Sequence, residues 1–319
     1  MDVHYTDQWP DAFGLGVHRA NLLRLLWDMA IGKGVEVEAG VEVKDIEKLA
    51  GDCVRLIASD GNTFGKFDAA VIANGTQSEL RSCIGVRQKC TPYPWGALWA
   101  ICDNKDNQFA NQLLQRYYRA STMIGVLPTG VHPDNGSDCV SFFWSLPANQ
   151  YAKWLGSDLD KWKATVQDHW PELATLLEYF TRHDALTFAN YGDVIMQDWN
   201  QGCLVCIGDA AHGMSPPLGQ GTNLALIDAM VLAECVQKSD NLIKAFDDYS
   251  STRKRHLRFY TLASRGLTPY FQSNSVAASW LRDFVFPWLA RVPFAYRQSL
   301  RTIAGIKTGV LFDKCLVEL

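Results

Sequence analysis

The 319-residue chain lacks an excess of basic residues: 30 Lys and Arg stand against 34 Asp and Glu, a formal net charge of −4. Nucleic acid is therefore not an expected partner on electrostatic grounds. It also lacks any run of about eighteen uncharged apolar residues, so no membrane span is expected. A charged n-region followed by an apolar h-region is missing from the start, which makes a reducing cytoplasm the simplest location. No GxxxxGKS/T, HExxH or GxSxG pattern occurs, which excludes the P-loop, the helix-borne zinc site and the nucleophile elbow. Repeats and low-complexity linkers are absent too. The nine cysteines are odd in number and scattered, so they cannot all pair within one chain. Cys203 and Cys206 have zinc-like spacing, but a strand turns residues three apart to opposite faces, and no second pair completes a ligand set.

What is present is a core-forming composition, 48% hydrophobic with 11 tryptophans. Trp95, Trp99, the Phe142-Phe143-Trp144 run, Trp154 and Trp162 read first as sheet and core packing, with an aromatic-lined pocket for a bulky apolar substrate as the sharper alternative. The most informative stretch begins at Leu204-Val-Cys-Ile and reaches Gly208-Asp209. It continues through a Gly/Pro loop at 216–223 into an apolar helix over 224–236. This pattern predicts a buried strand that delivers an acid to its carboxyl end, then a loop opening onto a helix N-terminus. Free amides and the positive end of a helix dipole there favour an anion or a polarised carbonyl. The pattern describes a cofactor site.

Gly208-Asp-Ala-Ala-His212, with Pro216, Gly219-Gln-Gly221 and Asn223, resembles the second FAD-binding motif of the p-hydroxybenzoate-hydroxylase-like flavoprotein monooxygenases. Phe67-Asp-Ala-Ala-Val-Ile-Ala-Asn-Gly-Thr-Gln-Ser-Glu-Leu-Arg81 is similar to that family's strand-DG-x-x-S-x-x-R motif, with Asn74 where Asp is usual. Val17-His-Arg19 resembles the segment in which an Arg at a helix start touches FAD. The family's opening GxGxxG unit has no counterpart. Gly14-Leu-Gly16 lacks the third glycine, and no buried strand precedes it.

The resemblance implies an α/β fold: a Rossmann-like parallel sheet, incomplete at its N-terminal side, with an inserted, mostly antiparallel substrate sheet and C-terminal helices. The implied segments are FAD-binding over 1–82 and 199–260, substrate-binding over 83–198, and helical over 261–319. The implied FAD contacts are Arg19, Gly208, Asp209, Pro216, Gly219, Gln220, Gly221, Thr222 and Asn223. The implied activity is hydroxylation of an aromatic or conjugated apolar substrate with NAD(P)H and O2 through a flavin C4a-hydroperoxide. No catalytic acid or base is nominated, because the flavin carries the chemistry. A non-catalytic binding module that needs a partner segment is the alternative, and homo-oligomer formation stays open.

Locally, apolar spacing predicts an amphipathic helix over 20–30, ended by Gly32 and Gly34. Alternation predicts strands at 35–39, 41–43 and 53–58, and the apolar run 69–73 reads as a strand buried on both faces. Further strands are expected at 98–102, 117–127 and 138–146, with turns at 128–130 and 133–136. Helical spacing covers 159–170 and 171–180 and resumes past Tyr249, where the basic run Arg253-Lys-Arg-His256 lies. In the segment 280–294, Pro287 and Pro293 are expected to break any long amphipathic helix.

Overall fold

The computed structural model describes residues 2–109 and 111–309. Its strands are β1 (Val43–Leu49), β2 (Cys53–Ala58), β3 (Thr63–Phe67), β4 (Ala70–Ile72), β5 (Gln88–Asp103), β6 (Leu114–Tyr118), β7 (Thr122–Val131), β8 (Asp138–Pro147), β9 (Thr187–Met196), β10 (Asn200–Gln201) and β11 (Leu204–Cys206). Its helices are α1 (Arg19–Gly32), α2 (Tyr151–Leu155), α3 (Leu159–His169), α4 (Ala174–Leu177), α5 (Asp209–His212), α6 (Gly221–Lys238), α7 (Leu242–Phe271), α8 (Val276–Leu289) and α9 (Pro293–Ile303). The described residues form two compact units, with β5, β9 and α7 carrying the chain from one to the other.

The first unit draws on Met1–Val37, Pro94–Asn190 and Thr268–Val292. Its frame is the five-stranded sheet in the order β6-β7-β8-β5-β9. The segment expected as one strand over 117–127 is instead a hairpin: β6 and β7 pair antiparallel, and Arg119 takes a positive φ of 53° at the turn. The turn expected at 128–130 is a bulge inside β7, where the register with β8 shifts between Pro128 and Val131. Phe142, Trp144, Trp154, Trp162 and Phe180 are buried together with α3 and α4, so most of this aromatic set is core. Trp99, by contrast, is exposed. Glycine at 16 has a steric reason: a Cβ there would lie 2.0 Å from the Pro128 carbonyl oxygen. The neighbouring His18 amide donates to Thr129 O at 2.8 Å. Gly16 thus lets the N-terminal segment lie flat on β7.

No residue of α1 is buried, and Leu23, Leu25, Leu26, Trp27, Met29 and Ile31 are all exposed. The helix forms as its spacing predicts, yet its apolar face meets no partner among the described residues. Residues 35–42 are not strand; only Val43 of the predicted alternation enters β1. Pro287 does not break α8. It sits in the last turn, where removing one N–H disturbs little of the remaining ladder, while Pro293 opens α9 at the position proline favours.

The second unit draws on Glu38–Tyr93, Tyr191–Leu267 and Pro293–Leu319. It holds the antiparallel meander β1-β2-β3 and a small mixed sheet in the order β10-β11-β4. β11 and β4 are parallel, pairing Leu204, Val205 and Cys206 with Ala70, Val71 and Ile72. All of β11 is buried, as its unbroken apolar run dictates. β4 ends the sheet among the described residues, and Val71, whose run was expected to be buried on both faces, is exposed. One face of α7 is buried at Ala245, Phe246, Tyr249, Ser250, Arg253, His256, Leu257, Tyr260 and Ser264, the three-and-four spacing of a helix lying on a core.

Candidate functional site

The site grows out of the end of β11. Beyond Cys206 the chain reaches Gly208, whose φ of 57° and ψ of −144° belong to glycine. A Cβ at Gly208 would sit 3.3 Å from the Ala225 Cβ, so the turn rests directly on the first turns of α6. Asp209 follows as the first residue of α5, and its side chain is exposed. The acid therefore stands, exposed, just past the carboxyl end of a buried strand.

Ser215 anchors the next segment: its amide donates to Asp193 Oδ1 at 3.1 Å, and its hydroxyl pairs with that of Ser264 at 2.7 Å. Pro216–Leu218 makes one 3-10 turn, closed by Gly219 in the left-handed region at φ 62°. Gln220 is the N-cap residue of α6 but gives no side-chain cap. The opening N–H groups of α6, at Gly221, Thr222 and Asn223, precede its first intrahelical bond, from Leu224 N–H to Gln220 O at 2.9 Å. Space beside Gly219 and Gly221 is open, with nothing within 4 Å of where a Cβ would stand. An 18-residue helix thus points its positive end, without an acidic cap, through a glycine-walled mouth.

Two predicted contacts, Gln220 and Asn223, spend their side chains otherwise. Gln220 Nε2 donates to Ile303 O at 2.7 Å, and Asn223 Nδ2 donates to Gln220 Oε1 at 2.8 Å and to Ala304 O at 3.2 Å. They hold the turn after α9 beside the mouth. Gly208, Asp209, Pro216, Gly219, Gln220, Gly221, Thr222 and Asn223 all fall in the second unit. Arg19 does not; it is exposed at the start of α1, in the first unit.

Arg81 and Asn74, from the upstream motif, part company. Asn74 is exposed just past β4. Arg81 is buried at 3% exposure, and its guanidinium donates to Ala210 O at 2.7 Å and to Thr76 O at 2.5 Å. It staples the turn after β4 to α5, the two segments that carry the motif residues.

Sequence reasoning missed a buried polar cluster behind the turn. His212 Nε2 lies 2.5 Å from Asp228 Oδ2, the ring packing on Trp199. The same carboxylate oxygen accepts the Gly208 amide at 2.8 Å, and Oδ1 accepts Arg253 Nε at 2.6 Å. Arg253 also donates to Leu224 O at 3.1 Å and contacts His256 Nδ1. Burial alone would raise the Asp228 carboxyl, but the hydrogen bond and charge of His212, with the charge of Arg253, bring it below its ordinary 3.8. His256 is pulled from 6.5 to about 4, first by burial and then by the Arg253 charge. The available signal was spacing: Arg253 and His256 fall on the same helical stripe as Tyr249, Leu257 and Tyr260. Cys203 and Cys206 are both buried, and burial pushes the Cys206 thiol up to about 12. That is the chemistry of a core residue.

Comparison with known proteins gives the family. A family profile described as FAD binding domain matches residues 4–258. The chain is 34% identical over 110 residues to the aurachin C monooxygenase/isomerase of Stigmatella aurantiaca, spanning 34% of this chain and 29% of that protein. It is 22% identical over 337 residues to the FAD-dependent monooxygenase esdpE of Penicillium shearii, spanning 95% of this chain and 67% of that one. Klebsiella pneumoniae HpxO, solved with FAD and uric acid, shares the fold at a TM-score of 0.71 and 21% identity over 91% of this chain and 72% of that one. The chain spans less than two thirds of several curated relatives, 29%, 53% and 36% of three of them. With the profile covering most of its length, the chain belongs to the FAD binding domain family.

Proposed function

We propose that the second unit holds FAD and that the protein is a monooxygenase, consuming NAD(P)H and O2 to hydroxylate an aromatic or other conjugated apolar substrate. One observation carries the reading: Asp209 and the open, glycine-walled start of α6 emerge from a single packed turn, with Gly208 pressed on Ala225. The exposed Asp209 carboxylate accepts hydrogen bonds from ligand hydroxyls. The amides at the start of α6 favour negative charge on whatever lies before them. Glycines 219 and 221 keep side chains out of the approach, and Pro216 stiffens its wall. FAD, when bound, supplies the passage of two electrons from nicotinamide to oxygen. Overall, substrate, O2, NAD(P)H and a proton give hydroxylated substrate, water and NAD(P)+. Arg19 is retained as a proposed contact on resemblance alone.

The second reading, a non-catalytic module that needs a partner segment, is favoured by the uncovered edge of β4 at Val71. Incubating the purified chain with FAD, desalting it and recording the visible spectrum separates the two. Retained flavin absorbance, with NAD(P)H oxidation stimulated by a panel of phenols and mass-detected oxygen insertion, supports the enzyme. A colourless chain that ignores FAD supports the module.

A further inference from the structure

The buried Asp228 cluster does more than fill space behind the turn. Asp228 and Arg253 are both 0% exposed, His256 is 1% exposed and His212 is 6% exposed. Four ionisable side chains out of water, in a unit of this size, are costly unless their geometry is required. Each bond runs to a part of the proposed flavin mouth. Asp228 Oδ2 holds the Gly208 amide at 2.8 Å and faces His212, the first and last parts of the segment that presents Asp209. Arg253 ties α7 to Asp228 and, through Leu224 O, to the first turns of α6.

The chain of contacts continues along α7. Arg253 N–H meets His256 Nδ1. An imidazole that is neutral and accepts at Nδ1 carries its proton on Nε2; this Nε2 is buried without a hydrogen-bond partner among the described residues, and the backbone at Gly305 bears on its charge. One turn on, Tyr260 Oη accepts the Lys307 amide at 3.1 Å. The segment these groups border, reached through the Lys307 amide, is the one that Gln220 and Asn223 grip at Ile303 O and Ala304 O. A Cβ on Gly305 would stand 2.1 Å from Asn223 Nδ2, so these groups fit without slack.

We propose that Asp228, Arg253 and His256 form a positioning relay that sets both sides of the flavin mouth together: the Gly208–Asp209 turn on one side, and Gln220 and Asn223, through residues 303–305, on the other. The inference rests on the FAD reading above for what the mouth holds, but not for the coupling itself. Asp228 and Arg253 touch no ligand; they act through the groups they hold.

The test compares the whole chain with Asp228→Asn, Arg253→Lys and Leu232→Ala, the last a buried α6 residue outside the relay. Hydrogen exchange of the FAD-free proteins is measured over peptides 204–213 and 300–309, and FAD affinity by quenching of flavin fluorescence. Both relay variants are expected to speed exchange in both peptides. They should also raise the FAD Kd about tenfold, equivalent to about 1.4 kcal/mol. Leu232→Ala should lower the melting temperature while leaving Kd within about twofold. Loosening of 204–213 alone, or a Kd that tracks melting temperature equally in all three variants, overturns the relay. If the wild type itself ignores FAD, the flavin reading falls, and the exchange data still decide the coupling.

Discussion

Acidification should weaken the second unit through His256. Its imidazole is 1% exposed, and burial with the neighbouring Arg253 charge brings its pKa from 6.5 to about 4. The unfolded chain therefore takes a proton that the folded chain refuses. The stability at stake is fully present above the unfolded value of 6.5 and is lost progressively as the pH falls toward 4. A window of about 2.5 units at about 1.36 kcal/mol per unit sets the loss at about 3 kcal/mol. Asp228 acts in the same direction but lower. Its carboxyl is held below 3.8, against burial, by His212 and Arg253, so its contribution goes only as the pH drops beneath the ordinary carboxylate range. The assay is urea unfolding followed by tryptophan fluorescence from about pH 7.5 to about pH 4.5, comparing wild type with His256→Gln, which keeps an acceptor for Arg253 but cannot charge. The wild type should lose about 2–3 kcal/mol more than the variant over that range. Parallel stability curves for the two proteins would refute the reasoning.

Three further outcomes follow from particular contacts. Gly305→Ala places a methyl against Asn223 Nδ2 and Gln220 Oε1 at a φ of +81°, and should cost about 1–3 kcal/mol in urea unfolding while weakening FAD binding. Arg81→Met leaves Ala210 O and Thr76 O without their donor and should lower stability by about 2–4 kcal/mol in thermal unfolding; an unchanged melting temperature contradicts the staple. Gly16→Ala would drive a Cβ to 2.0 Å from Pro128 O, so amide exchange at His18, which bonds Thr129 O, should accelerate markedly.

The parts of the fold legible beforehand were those set by local pattern. The apolar run at 204–207, the Gly208-Asp209 turn and the helix expected over 224–236, which the fold begins at Gly221, were readable because strand, turn and helix signals stand next to one another. Elsewhere the pattern was right and the surroundings were not. The spacing over 20–30 gives a helix, but spacing carries no information about what covers it, and α1 is exposed. The run 69–73 gives a strand, but its place at the sheet edge depends on pairing that no local signal encodes. The hairpin between β6 and β7 was hidden because Arg119, not Gly or Asn, takes the positive φ. Within the site, Gln220 and Asn223 were assigned by motif, yet their partners lie more than eighty residues away. Arg253 and His256 were legible only as part of a basic run in a helical segment. Only their shared stripe with Tyr249 and Tyr260, and the deeply placed Asp228, turn them inward.

The proposal that matters most is that the turn carrying Asp209 and the start of α6 cradle FAD. Titrating FAD with the purified chain and with Asp209→Ala, by flavin fluorescence, addresses it directly. Saturable one-to-one quenching by the wild type, weakened about tenfold or more by the substitution while the melting temperature of the FAD-free protein holds, is the expected result. Equal quenching by both proteins, or none by the wild type, would contradict it.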